Sequence, residues 1–139
     1  MTVTEEQSAE IYRTVKELQP ECLVSSRLGN GKYDFVSLGD NEIPDRMEIP
    51  EGETVDYNDI RGFKPSPYGL YESACTLNRS WGFSSIDHDY KTAEQIYSNK
   101  KKLNAMGINY LINVGPDHLG RIPVQAQEIL RKVKSLEEL

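Results

Sequence analysis

At 139 residues the chain can form one domain around a single core, and it is too short for a complete (β/α)8 barrel, which takes roughly 250. Hydrophobic residues make up 37% and charged residues 27%, an ordinary mix for a soluble, somewhat polar domain, and a net charge of −6 argues against a nucleic-acid module, which needs a basic patch. No stretch reaches the roughly 18 apolar residues of a membrane span, and the polar, acidic start of the chain does not read as a signal peptide.

Taken in chain order, Thr4-Glu5-Glu6-Gln7 has the form of a capping box, in which the threonine hydroxyl and the glutamine side chain satisfy free backbone donors. Ile11, Val15 and Leu18 follow at helical spacing, and Pro20 stops the helix. Cys22 to Ser26 then reads as a short buried strand ending at Arg27, and the Gly- and Asn-rich run from Leu28 to Phe35 as the loop that leaves it. From Ser37 to Pro67 periodicity is lost, with Pro44, Pro50, Pro65 and Pro67 among acidic residues. A structureless run of that length inside a domain is often functional.

Leu70 to Leu77 reads as a second strand, with a turn at Asn78-Arg79-Ser80. Thr92-Ala93-Glu94-Gln95 is a second capping box, opening a helix that carries Ile96, Leu103 and Met106 and ends at Gly107. Within it Lys100, Lys101 and Lys102 read as a solvated face. Ile108 to Val114 is apolar on both faces, the pattern of a buried parallel strand. Pro123 suits the first turn of a last helix whose apolar stripe is Ile129, Leu130, Val133 and Leu136. Helices and strands alternate, so the class is α/β with parallel strands. Cys22 and Cys75 lie in apolar runs without zinc spacing and read as buried free thiols. His88 and His118 are isolated and read as surface loop residues.

Three segments together resemble glycoside hydrolase family 29, the α-L-fucosidases. They are Leu23 to Gly29 followed by Gly39 to Pro44, then Tyr71 to Phe83, then Asn109 to Pro116 with Gly120, Ile122 and Pro123 behind. The resemblance covers nearly the whole chain and implies the later portion of a catalytic barrel. The expected form is an open (β/α)8 TIM-like fragment, with about three parallel strands and flanking helices across residues 1–139. The family's nucleophilic aspartate and the His- and Trp-containing segments that hold the sugar's hydroxyls belong upstream of this sequence.

Retaining glycosidases use two carboxyl groups roughly 5 Å apart, one as nucleophile and one as general acid, then base. Glu42, in the aperiodic loop, corresponds best to the family's acid/base position; on its residues alone it is an exposed glutamate in the charged company of Asp40 and Asp45. Arg27 matches an arginine that contacts fucose, and its guanidinium offers fixed donors at a strand end, where barrel sites lie. Trp81, the only tryptophan, falls where the family sets an aromatic ring against the sugar's methyl group; core packing is the plainer reading. Glu72 is the second candidate acid or a sugar contact, and an ion pair with Arg27 or Arg79 would explain a glutamate entering an apolar strand.

The resemblance implies a retaining exo-α-L-fucosidase acting on fucosylated glycans or fucosides, with no metal or organic cofactor, and a chain that is inactive alone for want of its nucleophile. The alternative is a non-catalytic carbohydrate-binding or split-barrel assembly module, pairing with an N-terminal barrel half or with itself. Neither a nucleic acid nor a membrane is an expected partner.

Overall fold

Both capping boxes form as written. Thr4 and Gln7 bond each other's backbone amides and start α1 (Glu5–Leu18), and Thr92 and Gln95 do the same for α2 (Ala93–Ala105). The computed structural model describes residues 3–44 and 66–138; Asp45, Pro50 and Pro65, with most of the aperiodic run, lie outside them. Three strands, β1 (Val36–Ser37), β2 (Tyr71–Thr76) and β3 (Ile108–Asn113), make one parallel sheet in the order β1-β2-β3. The last helix is α3 (Val124–Glu137), with Pro123 as its N-cap. Parallel neighbours cannot be joined by a hairpin. The connection from β2 to β3 accordingly passes through α2.

Contacts divide the chain into two compact units, Met1–Gly39 with Pro44–Glu72, and Asp40–Ile43 with Ser73–Leu139. In the first, β1 pairs with the start of β2, Val36 opposite Tyr71 and Ser37 opposite Glu72. The expected strand from Cys22 to Ser26 reduces to a single bridge, Ser25 with Phe35, because the Ser25 hydroxyl accepts from the Arg27 amide and bends the chain into a 3-10 turn over Ser26–Leu28. Cys22 is half-buried rather than buried. On α1 the inward face is polar: Ser8 is fully buried and Tyr12 reaches Asp34, while Ile11 and Leu18 are exposed. The centre of this unit is the Asp34 carboxylate, itself fully buried. It accepts from the Tyr12 hydroxyl at 2.7 Å and the Val24 amide at 2.8 Å, and pairs with Lys16 Nζ at 2.8 Å. Burial alone would push Asp34 up, but Lys16, Tyr12 and the Val24 amide outweigh it and hold the carboxyl below its ordinary value.

The second unit has an apolar centre. Leu77, Ala93, Ile96, Ala126 and Val133 are buried together, with Tyr110, Ile112, Val114, Ile129, Leu130 and Leu136 packed against them. Helix α2 ends through Met106 at Gly107, whose φ of 73° is left-handed backbone that glycine adopts without a Cβ clash. The lysine run stays near the surface: Lys100 pairs with Glu137, and Lys101 lies 5.5 Å from the Tyr97 ring. In β3, Tyr110 and Ile112 face the helices, so the intervening Asn109, Leu111 and Asn113 face the other way. That second face is not covered as the two-sided apolar pattern implied; Leu111 is 48% exposed. Among the described residues no helix is long and apolar enough to cross a membrane.

Candidate active site

Strand periodicity sorts β2 into two sets. Ser73 and Cys75 are buried, and Cys75 lies beside Tyr110 on the helix-packed face, leaving Glu72, Ala74 and Thr76 on the other. Burial pushes the Cys75 thiol up, which disfavours the nucleophilic thiolate. Burial also pushes Tyr110 up to about 12, so neither group is poised for proton transfer near neutral pH.

The segment bearing Glu42 runs alongside the end of β2. The Asn41 amide donates to the Ala74 carbonyl at 2.8 Å, and the Ser73 hydroxyl donates to the Glu42 carbonyl. Asn41 holds a left-handed φ of 59°, which asparagine tolerates better than most residues. This turns its side chain so that Oδ1 accepts the Thr76 amide at 3.0 Å, where a further strand residue would otherwise have bonded. Glu42 is half-buried, and Asp40 and Asn41 are exposed.

Trp81 sits in the loop that leaves β2. It is 40% exposed, and Phe83 beside it is 50% exposed. Asn113, the last residue of β3, donates through Nδ2 to the Trp81 carbonyl at 2.8 Å and to Thr76 Oγ1 at 3.0 Å. Asp87 closes the loop from behind, its Oδ2 accepting the Arg79 and Ser80 amides at 3.0 and 2.8 Å. The Ser80 side chain and these amides hold the Asp87 carboxyl below its usual range. Gly115 is fixed by this packing: a Cβ there would lie 2.5 Å from the Gly82 carbonyl carbon and 2.7 Å from the Phe83 nitrogen. The loops after β2 and β3 therefore meet backbone to backbone.

In the first unit, Arg27 Nε donates to Ser37 Oγ at 3.0 Å, and Nη2 reaches the Leu38 carbonyl at 3.4 Å. Ser37, the last residue of β1, accepts from Arg27 and is in register with Glu72 of β2. The expected ion pair of Glu72 is absent: among the described residues it has no ionic partner, and Arg79 pairs instead with Asp89 at 2.5 Å. Glu72 is only half-buried on the uncovered face, so its charge does not require one. The sequence-derived candidates thus fall in two groups, Arg27 with Glu72 and Glu42 with Trp81. His88 and His118 are exposed, and among the described residues no three His, Cys, Asp or Glu side chains cluster as a metal site. Asn41, Thr76 and Asn113 were not singled out from sequence. The available signal was polar residues at the ends of otherwise apolar strands.

A family model described as alpha-L-fucosidase matches residues 2–136. A comparison with curated proteins finds no match. Among solved structures, the alpha-L-fucosidase AlfC from Lactobacillus casei, in complex with its α-L-fucose product, is 56% identical over 99% of this chain and 37% of its own, with a TM-score of 0.82. Alpha-L-fucosidase isoenzyme 1 from Paenibacillus thiaminolyticus is 26% identical over 99% of this chain and 32% of its own, TM-score 0.77. The enzyme from Vibrio sp. strain EJY3, at 22% identity over 96% of this chain and 21% of its own, shares the fold with a TM-score of 0.76. The chain spans between 21% and 37% of the length of these enzymes. It belongs to the alpha-L-fucosidase family, glycoside hydrolase family 29.

Proposed function

We propose that the chain is the proton-donating and sugar-contacting portion of a retaining exo-α-L-fucosidase, part of a (β/α)8 barrel whose nucleophile lies outside this sequence. The observation that carries this reading is the 56% identity to a fucosidase over 99% of the chain. Terminal α-L-fucosyl linkages of glycans are the substrate class, in line with the Fuca(1,6)GlcNAc and 4-nitrophenyl fucopyranoside complexes of that relative.

In this reading Arg27 holds a ring or hydroxyl oxygen through its fixed donors, and the Trp81 ring lies against the C–H groups of the deoxysugar. Glu42 protonates the leaving oxygen, then deprotonates the water that releases the fucosyl-enzyme. Glu72 binds the substrate, and one observation favours a larger part for it. In the relative, alanine variants of an asparagine and of a glutamate thirty-one positions apart are described as fucosyltransferase mutants. Asn41 and Glu72 stand thirty-one positions apart here, and no other asparagine in this sequence has a glutamate at that interval. The aspartate whose alanine variant was captured with substrate precedes that asparagine by more than Met1 precedes Asn41, so the same register puts its counterpart before this sequence.

The test is kinetic, in this chain assembled with the upstream barrel polypeptide. Loss of the general acid/base costs about 10²–10⁴-fold in turnover. It spares aryl fucosides with good leaving groups in the first step and is rescued by azide. Glu42→Gln is expected to give that pattern and Glu72→Gln a rise in KM. The reverse assignment moves the proton donor to Glu72, and neither variant showing azide rescue rejects both.

A further inference from the structure

Thr76 stands between the two loops that carry Glu42 and Trp81. Its amide donates to Asn41 Oδ1, one residue before Glu42. Its hydroxyl accepts from Asn113 Nδ2, the nitrogen that also holds the Trp81 carbonyl. The hydroxyl has one proton to give, and the Ser80 carbonyl, one residue before Trp81, takes it at 3.1 Å; Asn78 Oδ1 lies farther off at 3.3 Å. Lys91 Nζ occupies the Thr76 carbonyl at 2.7 Å.

Thr76 is 1% exposed. A valine would fill the same volume and suit a strand equally well, and a buried hydroxyl is a cost unless it is bonded. The hydroxyl is explained by what it connects. We propose that Thr76 is a positioning residue that fixes the Trp81 loop relative to the Glu42 loop, so that the indole face and the proton donor address the same sugar. Its meaning for catalysis rests on the fucosidase reading; its first test does not.

Trp81 is the only tryptophan, so its fluorescence reports this loop in the chain alone. Thr76→Val keeps the amide bond to Asn41 and deletes the hydroxyl. Its acrylamide quenching of Trp81 is expected to rise about twofold as the loop loosens, with far-ultraviolet circular dichroism unchanged. Thr76→Ser is expected to behave as the parent. If Thr76→Val does not fold, Thr76→Ala decides, since it deletes the same hydroxyl, and with it the bonds to Ser80 and Asn113, while keeping the amide bond to Asn41. Unchanged quenching in a folded variant overturns the proposal.

In the chain assembled with its upstream barrel polypeptide, Thr76→Val is expected to raise KM for an aryl α-L-fucoside about tenfold, with kcat and its pH profile little changed and serine restoring KM. Looser quenching with KM unmoved would make Thr76 merely structural and overturn the sugar-facing role. An assembled parent enzyme without activity would overturn the fucosidase reading and that role with it, while the quenching result would still decide the link between the loops.

Discussion

At the centre of the first unit is a carboxylate, Asp34, enclosed by a tyrosine hydroxyl, a lysine and a backbone amide. At the centre of the second are Leu77, Ile96, Ala126 and Val133. A buried carboxylate fixes direction, since its partners must arrive at set angles, and it is vulnerable to the loss of any of them. An apolar cluster is indifferent to pH and fails by volume instead. The second unit places its polar bonds at the rim, around Thr76, where two loops must be held in register. Packing supplies the platform and hydrogen bonds do the aiming.

Four perturbations should separate these modes, taken from the largest effect to the smallest. Ile96→Ala, at a site 1% exposed, should cost about 3–4 kcal/mol in urea unfolding followed by Trp81 fluorescence. Equal stability of the variant would mean that the cluster does not hold the second unit. Asp34→Ala strands Tyr12, Lys16 and the Val24 amide and should cost the first unit about 2–3 kcal/mol; Lys16 keeps partial access to water, which limits the loss. Loss of hydrogen-exchange protection at the Val24 amide checks it. Gly115→Ala forces a methyl into the Gly82 backbone and should cost about 2 kcal/mol while raising acrylamide access to Trp81. Thr92→Ala removes one capping box and should cost about 1 kcal/mol by thermal unfolding.

Titration sharpens the same contrast. The folded carboxyl of Asp34 is depressed, so its contribution is present above the unfolded value, about 3.9, and is lost as pH falls below it. Lys16 and Tyr12 are both raised, chiefly by the hydrogen bond to Asp34. Their contributions are present below their unfolded values, about 10.4 and 10, and are lost as pH rises through the raised ones. The Val24 amide should therefore lose protection in acid below about pH 4 and again above about pH 10, whereas amides over the Ile96 cluster should not follow that profile.

Much of the frame was legible in the sequence because its signals are local. Each capping box needs two residues three apart, Gly107 needs only its own φ, and Pro123 marks a helix start by lacking an amide proton. The Asp34 centre was not legible, since Tyr12 lies twenty-two residues away and nothing local joins them. The spacing of Ile11, Val15 and Leu18 suggested a packing face, yet the helix buries Ser8 against the Leu28 carbonyl and Asn30, turns Tyr12 to Asp34, and leaves Ile11 and Leu18 exposed. The stretch from Cys22 to Ser26 read as a strand by composition, and the Ser25 hydroxyl overrode it. For the candidate site, resemblance pointed to Trp81 and the Glu42 loop. The bonds that join their two loops pass through Thr76 and Asn113, thirty-seven residues apart, and only folding shows that pairing.

The most direct test of the central claim is hydrolysis of 4-nitrophenyl α-L-fucopyranoside by this chain alone and after assembly with a polypeptide supplying the upstream barrel strands and nucleophile. The account predicts negligible release of nitrophenol from the chain by itself and sustained turnover from the folded mixture. A folded mixture that stays silent would contradict the account, as would sustained turnover by the chain alone that is abolished by Glu42→Gln.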